Sequence, residues 1–170
     1  MTANGSDLRP QSSSLIRPPR FPKNLETSEV SSTQSSSLSS QLVVPIATYE
    51  DIIVARQAVK TRMRDMGFSI LAQTRMVTAV SELARNIIVH AESGRMTTDS
   101  VVEAGGRSGI ACTFEDTGPG IADIDRALTA GFSTVRSMGL GLSGARQLCR
   151  SFDIQSTVGV GTRVWIAEWL

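Results

Sequence analysis

Glu82, Asn86 and His90 stand at i, i+4 and i+8 in SELARNIIVH, a spacing that lines three polar side chains along one helix face. A carboxylate and a carboxamide one turn apart suit divalent-ion chemistry. Asn offers one oxygen to Mg²⁺, an ion that keeps several waters and shares its shell with substrate phosphates. The carboxylate beside it can orient or deprotonate a nucleophile next to a phosphate. Taken alone, such a stripe reads more plainly as a solvated helix face. His90 is the chain's one histidine, and as a polar neighbour of a phosphate site it fits better than as a catalytic base.

FEDTGPGI carries the next candidates: Asp116, Gly118 and Gly120. Asp, Gly and Pro are ordinary turn residues, so a plain tight turn is one reading. The other places Asp116 at the end of an apolar strand, pointing into a pocket while the strand stays rigid. A carboxylate there accepts the exocyclic amine of adenine. Guanine would present a carbonyl instead, acceptor against acceptor, and an unsatisfied buried polar group costs about 1–3 kcal/mol.

Downstream, MGLGLSGARQL spaces Gly139, Gly141 and Gly144 as GxGxxG at the start of a helix. Bare backbone amides at a helix N-terminus attract phosphate. No strand leads into this segment, so it is not a dinucleotide-binding fingerprint. A flexible lid attachment is a compatible reading.

The elements that must hold these residues follow from periodicity. LVVPI, with Pro45, suits an edge strand. Thr48 and Asp51 begin a helix as a capping box, Ile52, Ala55, Val59, Met63 and Met66 form its apolar stripe, and Gly67 stops it. A second helix is expected over Ile70 to Ala91, buried along Met76, Val80, Leu83, Ile87 and Ala91. DSVVEAGG and GIACTFED read as a hairpin across GGRSG. ADIDRALTAG and the run from about Leu140 are helical, and FDIQSTV and TRVWIAEWL are closing strands around the turn GVG. Strands and helices are thus grouped rather than alternating. The order predicts an α+β, two-layer α/β sandwich with helices on one face of a mixed, mostly antiparallel sheet. Trp165 and Trp169 fall on one strand face, expected to pack on the helices, with a partner surface as the alternative.

Composition frames this domain. The chain has 170 residues, a formal charge of +1 and 41% hydrophobic residues, which argues against nucleic acid or a membrane surface as the main partner. No apolar run is long enough to cross a bilayer, and no signal-peptide core opens the chain, so a cytoplasmic protein is expected. Cys112 and Cys149 lack metal-site spacing and read as reduced packing residues. Five of the six prolines lie at or before Pro45. Residues 1–41, rich in Ser and Pro, read as a disordered tail, and residues 42–170 as one folded domain.

A helix with ExxxN, a strand-end DxGxG, a GxGxxG at a helix start and a GxGT turn before the last strand occur in this order in one family. The sequence resembles the GHKL (Bergerat-fold) ATPase/kinase superfamily, and SELARNI, DTGPGIADID and GFSTVRSMGLGLSGARQL resemble its RsbT-like serine/threonine switch kinases, which stand near the anti-sigma regulatory factors. The resemblance covers about Val44 to Trp169.

It implies an ATP- and Mg²⁺-dependent kinase of the Bergerat fold. By that resemblance Asp116 binds the adenine amine, Gly118 and Gly120 shape its pocket, and Thr162 supports it through a hydroxyl or bridging water. Asn86 holds Mg²⁺, Glu82 is the catalytic base, and Gly139, Leu140, Gly141 and Gly144 approach the phosphates. Residues 122 to 138 are the expected ATP lid. The implied partners are a STAS-domain antagonist, phosphorylated on Ser or Thr, and a PP2C-type phosphatase, bound and activated by the free kinase. The alternatives are an anti-sigma factor of the SpoIIAB or RsbW kind that binds a sigma factor, and a nucleotide-tuned binding module with little kinase activity. His90 lies inside the nucleotide helix, where it cannot serve as a sensor kinase's phosphoacceptor. A single-domain protein kinase is the expectation.

Overall fold

A computed structural model describes residues 41–103, 105–129 and 141–170. The expectations for the N-terminal tail, for Gly139 and Leu140, and for the lid beyond residue 129 lie outside those residues. The element order is β1 (Leu42–Ile46), α1 (Tyr49–Asp65), α2 (Ile70–Ala91), β2 (Gly94–Val102), β3 (Ser108–Asp116), α3 (Ile124–Ala127), α4 (Gly141–Leu148), β4 (Ser151–Thr157) and β5 (Gly161–Trp169).

The strands form one five-stranded sheet in the order β1-β2-β3-β5-β4. Every pairing is antiparallel, so the sheet is not mixed among the described residues. Register sorts the inner face into rows. Val44, Met96, Phe114, Val164 and Ile154 face one another across all five strands, and Thr98, Cys112, Ile166 and Phe152 form the neighbouring row. Against them pack Ile52, Ala55, Val59 and Met63 of α1 and Met76, Val80, Leu83 and Ile87 of α2, with Ala145 of α4. Every one of these helical residues is buried, which is why the helices sit on a single face.

α1 begins as its sequence predicts. The Asp51 carboxylate accepts from the backbone N–H of Ala47 (2.9 Å) and Thr48 (2.8 Å) and from the Thr48 hydroxyl (3.1 Å). Those backbone bonds, Ala47's foremost, hold its pKa below the ordinary 3.8. The charged carboxylate is the bonded form, so its stabilising effect is complete above that value and is lost as pH falls through the lowered folded one. Thermal melts of Asp51→Asn should therefore lie below wild type at neutral pH, and the gap should close in the acid range. A gap that persists unchanged at pH ~3 would contradict this cap.

Two further expectations change. β2 starts at Gly94 rather than near Asp99, because Met96 and Thr98 face inward in register with Phe114 and Cys112. Trp165 and Trp169 do share a face, but it is the one opposite Val164 and Ile166. Neither ring joins the helix-facing core. Trp169 instead donates its indole N–H to the Ser151 hydroxyl (3.2 Å) and lies under the Arg107 guanidinium, 5.9 Å from the ring centre.

Both cysteines are buried and unpaired. Burial pushes the Cys149 thiol up to about 12 and raises that of Cys112 further still, so neither is a thiolate at neutral pH. They are packing residues, as their apolar context implied.

Candidate functional site

The core rows of the sheet continue past Phe114 into one more inward-facing row: Ile46, Gly94, Asp116, Thr162 and Ser156. Here the pattern changes from apolar to polar without any change of register. The sheet's inner face therefore opens into a pocket of about 410 Å³ between this row, the C-terminal half of α2, the loop after β3 and the start of α4. Its walls are largely apolar, built from Leu83, Ile87, Phe114, Ile121, Leu142 and Val164. That volume and lining suit a small-molecule site with a few placed polar groups.

The two oxygens of Asp116 have different surroundings. Oδ1 accepts from the backbone N–H of Gly118 (2.9 Å) and of Thr162 (3.1 Å). Oδ2 takes no hydrogen bond from the described residues, and Asp116 lines the pocket. One oxygen is thus fixed by the backbone while the other is free to accept from a ligand. Behind it, the Ser156 hydroxyl accepts from the Ile121 N–H (2.8 Å) and donates to the Gly161 carbonyl (3.1 Å). Its single proton is then spent, so the 2.8 Å contact between Ser156 and Thr162 has the Thr162 hydroxyl as donor. Ser156 carries no local sequence signal. It becomes visible only through the β4–β5 register, which sets it opposite Thr162.

Glycine lets these segments close on one another. A Cβ at Gly161 (φ +138°) would overlap the Asp116 carbonyl oxygen, and one at Gly120 (φ +72°) the Thr157 carbonyl oxygen. Gly118 works differently from Gly120. It faces α2, where a Cβ would come within 2.5 Å of the Ala91 Cβ, and it does not line the pocket. Gly120 does.

On α2, Asn86 and His90 line the pocket, and the Asn86 carboxamide makes no hydrogen bond to the described residues. Glu82 stands outside the pocket wall. Its Oε2 accepts from the Gly141 N–H at 3.3 Å, at the first residue of α4. Gly141 (φ +57°) lines the pocket, whereas Gly144 is buried in α4 away from it. The site thus brings together Asn86, His90, Asp116, Gly120, Gly141 and Thr162, with Glu82 at its rim.

A carboxamide oxygen with no competing partner among the described residues fits Mg²⁺, which is commonly held by one or two side chains plus phosphates and water. Among the described residues no group of three or more His, Cys, Asp or Glu could hold a metal ion by itself.

The model of the histidine kinase-, DNA gyrase B- and HSP90-like ATPase family matches residues 72–169. The chain belongs to this family. It is 38% identical over 133 residues to the serine/threonine-protein kinase RsbT of Bacillus subtilis (strain 168), covering 78% of this chain and 99% of that protein. It is therefore an RsbT-like serine/threonine-protein kinase homologue. Among solved structures, the RsbU and RsbW domains of Rv1364c from Mycobacterium tuberculosis superpose with a TM-score of 0.52 at 16% identity. That match covers 75% of this chain and 31% of the other, so this chain spans about a third of its length. It shows a shared GHKL fold, in agreement with the motif order. No helix among the described residues is long and apolar enough to cross a membrane.

Proposed function

We propose that this protein transfers the γ-phosphoryl group of ATP to a serine or threonine of a STAS-domain antagonist, and that once released it binds and activates a PP2C-type phosphatase in the cytoplasm. The observation that carries the nucleotide reading is the divided Asp116 carboxylate, one oxygen held by two backbone N–H groups and the other open to an apolar slot. The adenine ring enters that slot between Ile87, Phe114 and Val164, and its amine donates to Oδ2. Thr162 and Ser156 keep the carboxylate in place from behind.

The phosphates then run toward Gly141, where the backbone N–H groups at the start of α4 favour negative charge. Asn86 would hold Mg²⁺, which would neutralise charge on the phosphates. Glu82 accepts the proton of the incoming hydroxyl. The hydroxyl oxygen bonds to the γ-phosphorus, the bond from that phosphorus to the bridging oxygen breaks, and ADP departs.

Incubation with γ-labelled ATP and a STAS-domain protein should place label on a serine or threonine of that protein. Asn86→Ala should lower the rate on the order of 10²-fold, the usual cost of removing one charge-stabilising group. Transfer at the wild-type rate by Asn86→Ala at physiological Mg²⁺ would sink the metal assignment. Absence of transfer from a wild-type protein that binds ATP and still activates the phosphatase would instead favour a nucleotide-tuned binding module.

A further inference from the structure

Arg85 directly precedes Asn86 on α2, off the Glu82–Asn86–His90 stripe, yet its side chain lines the same pocket. Its Nε is buried and has no hydrogen-bond partner. The described residues supply no ion pair either. Neither pocket carboxylate pairs with Arg85: Asp116 is anchored through Oδ1 by Gly118 and Thr162, and Asp123 through Oδ1 by the Arg126 N–H. A guanidinium donates through several N–H groups and cannot shed its proton to escape burial. Thr98, Arg163 and Glu168 also carry a buried side-chain atom with no hydrogen-bond partner, but of the four residues only Arg85 lines the pocket, where a partner can come from outside. At the wall of a pocket, that partner is an anion.

The geometry points to Arg85 as a phosphate-binding residue of the nucleotide site. This inference rests on the proposed ATP reading and adds to it a positively charged side chain on α2. Asn86 and the α4 backbone supply a metal ligand and dipoles, but neither carries positive charge. Arg85 stands next to Asn86 and three residues after Glu82, whose carboxylate meets Gly141 at the start of α4, where the phosphates are proposed to lie. Planar guanidinium–phosphate pairs are charge-assisted and often two-pronged. Lysine at the same place would restore charge without the fork.

Isothermal titration of ATP and of adenosine into wild type, Arg85→Gln and Arg85→Lys tests the assignment, with thermal melts reporting the fold of each variant. Arg85→Gln should bind ATP roughly 10- to 100-fold more weakly, the range of a hydrogen bond to a charged group. Its adenosine affinity should match wild type, because the base end of the pocket is untouched. Arg85→Lys should fall between the two for ATP, and the salt dependence of ATP binding should be shallower in Arg85→Gln. Equal ATP affinity in Arg85→Gln and wild type would overturn the inference and leave the ATP reading standing. An equal loss for ATP and adenosine would overturn it too, since it would mark a structural role. A wild-type protein that binds no ATP would remove both readings together.

Discussion

Asp116→Asn is expected to weaken ATP binding by roughly 10²- to 10³-fold while leaving the fold intact. The substitution is nearly isosteric, and the side-chain surroundings dictate which way the new amide points. Gly118 and Thr162 both aim backbone N–H groups at Oδ1, so the amide oxygen must occupy that position. The amino group is then forced into the Oδ2 position, facing the pocket. There it meets the adenine amine donor to donor. The loss combines a hydrogen bond to a charged acceptor with two polar groups left unsatisfied, on the order of 3–4 kcal/mol together. The same reversal should favour guanine, whose carbonyl accepts from the new amino group. Titration with ATP and GTP should thus show the ATP:GTP preference collapse or invert in the variant. Retention of wild-type ATP affinity would remove Asp116 from base recognition.

That argument depends on the β3–β5 register, which the sequence alone expresses only in part. α2 runs from Ile70 to Ala91 as its three- and four-residue apolar spacing predicts, since a long amphipathic stripe leaves little freedom. Asp116 and Thr162 were each recognisable from glycine-rich neighbours. Their direct pairing across β3 and β5, with Ser156 beyond, comes from strand pairing between distant segments, which local pattern does not encode. β2 shows the same limit. GRMTTD alternates Met96 and Thr98 inward with Arg95, Thr97 and Asp99 outward, and a buried threonine hides the apolar period. At Gly94 the strands approach closely, and a Cβ there would overlap the Glu115 carbonyl oxygen of the adjacent strand. Arg85 escaped for a different reason. An i, i+4 stripe selects Glu82, Asn86 and His90, while the pocket curves around the helix far enough to include the residue beside them.

Glu82→Gln should separate binding from chemistry. Its carboxylate accepts from the Gly141 N–H at the start of α4, the position where the phosphates are expected to meet the helix N-terminus. A carboxylate there repels the incoming phosphates, so its neutralisation should leave ATP affinity unchanged or raise it a few-fold. Glutamine keeps an oxygen that can accept from Gly141, which preserves the local structure of α4. What it cannot do is accept the proton of the incoming hydroxyl. Phosphotransfer should accordingly fall by about 10²- to 10⁴-fold, the usual worth of a positioned general base. The combination matters more than either number, because a damaged pocket would lower binding and transfer together. The proposed activation of a phosphatase should survive the substitution, since binding needs no proton acceptor. A Glu82→Gln protein that phosphorylates its substrate at the wild-type rate would leave Glu82 as a cap on α4, and the proton would need another acceptor among the pocket residues, with His90 the nearest in kind.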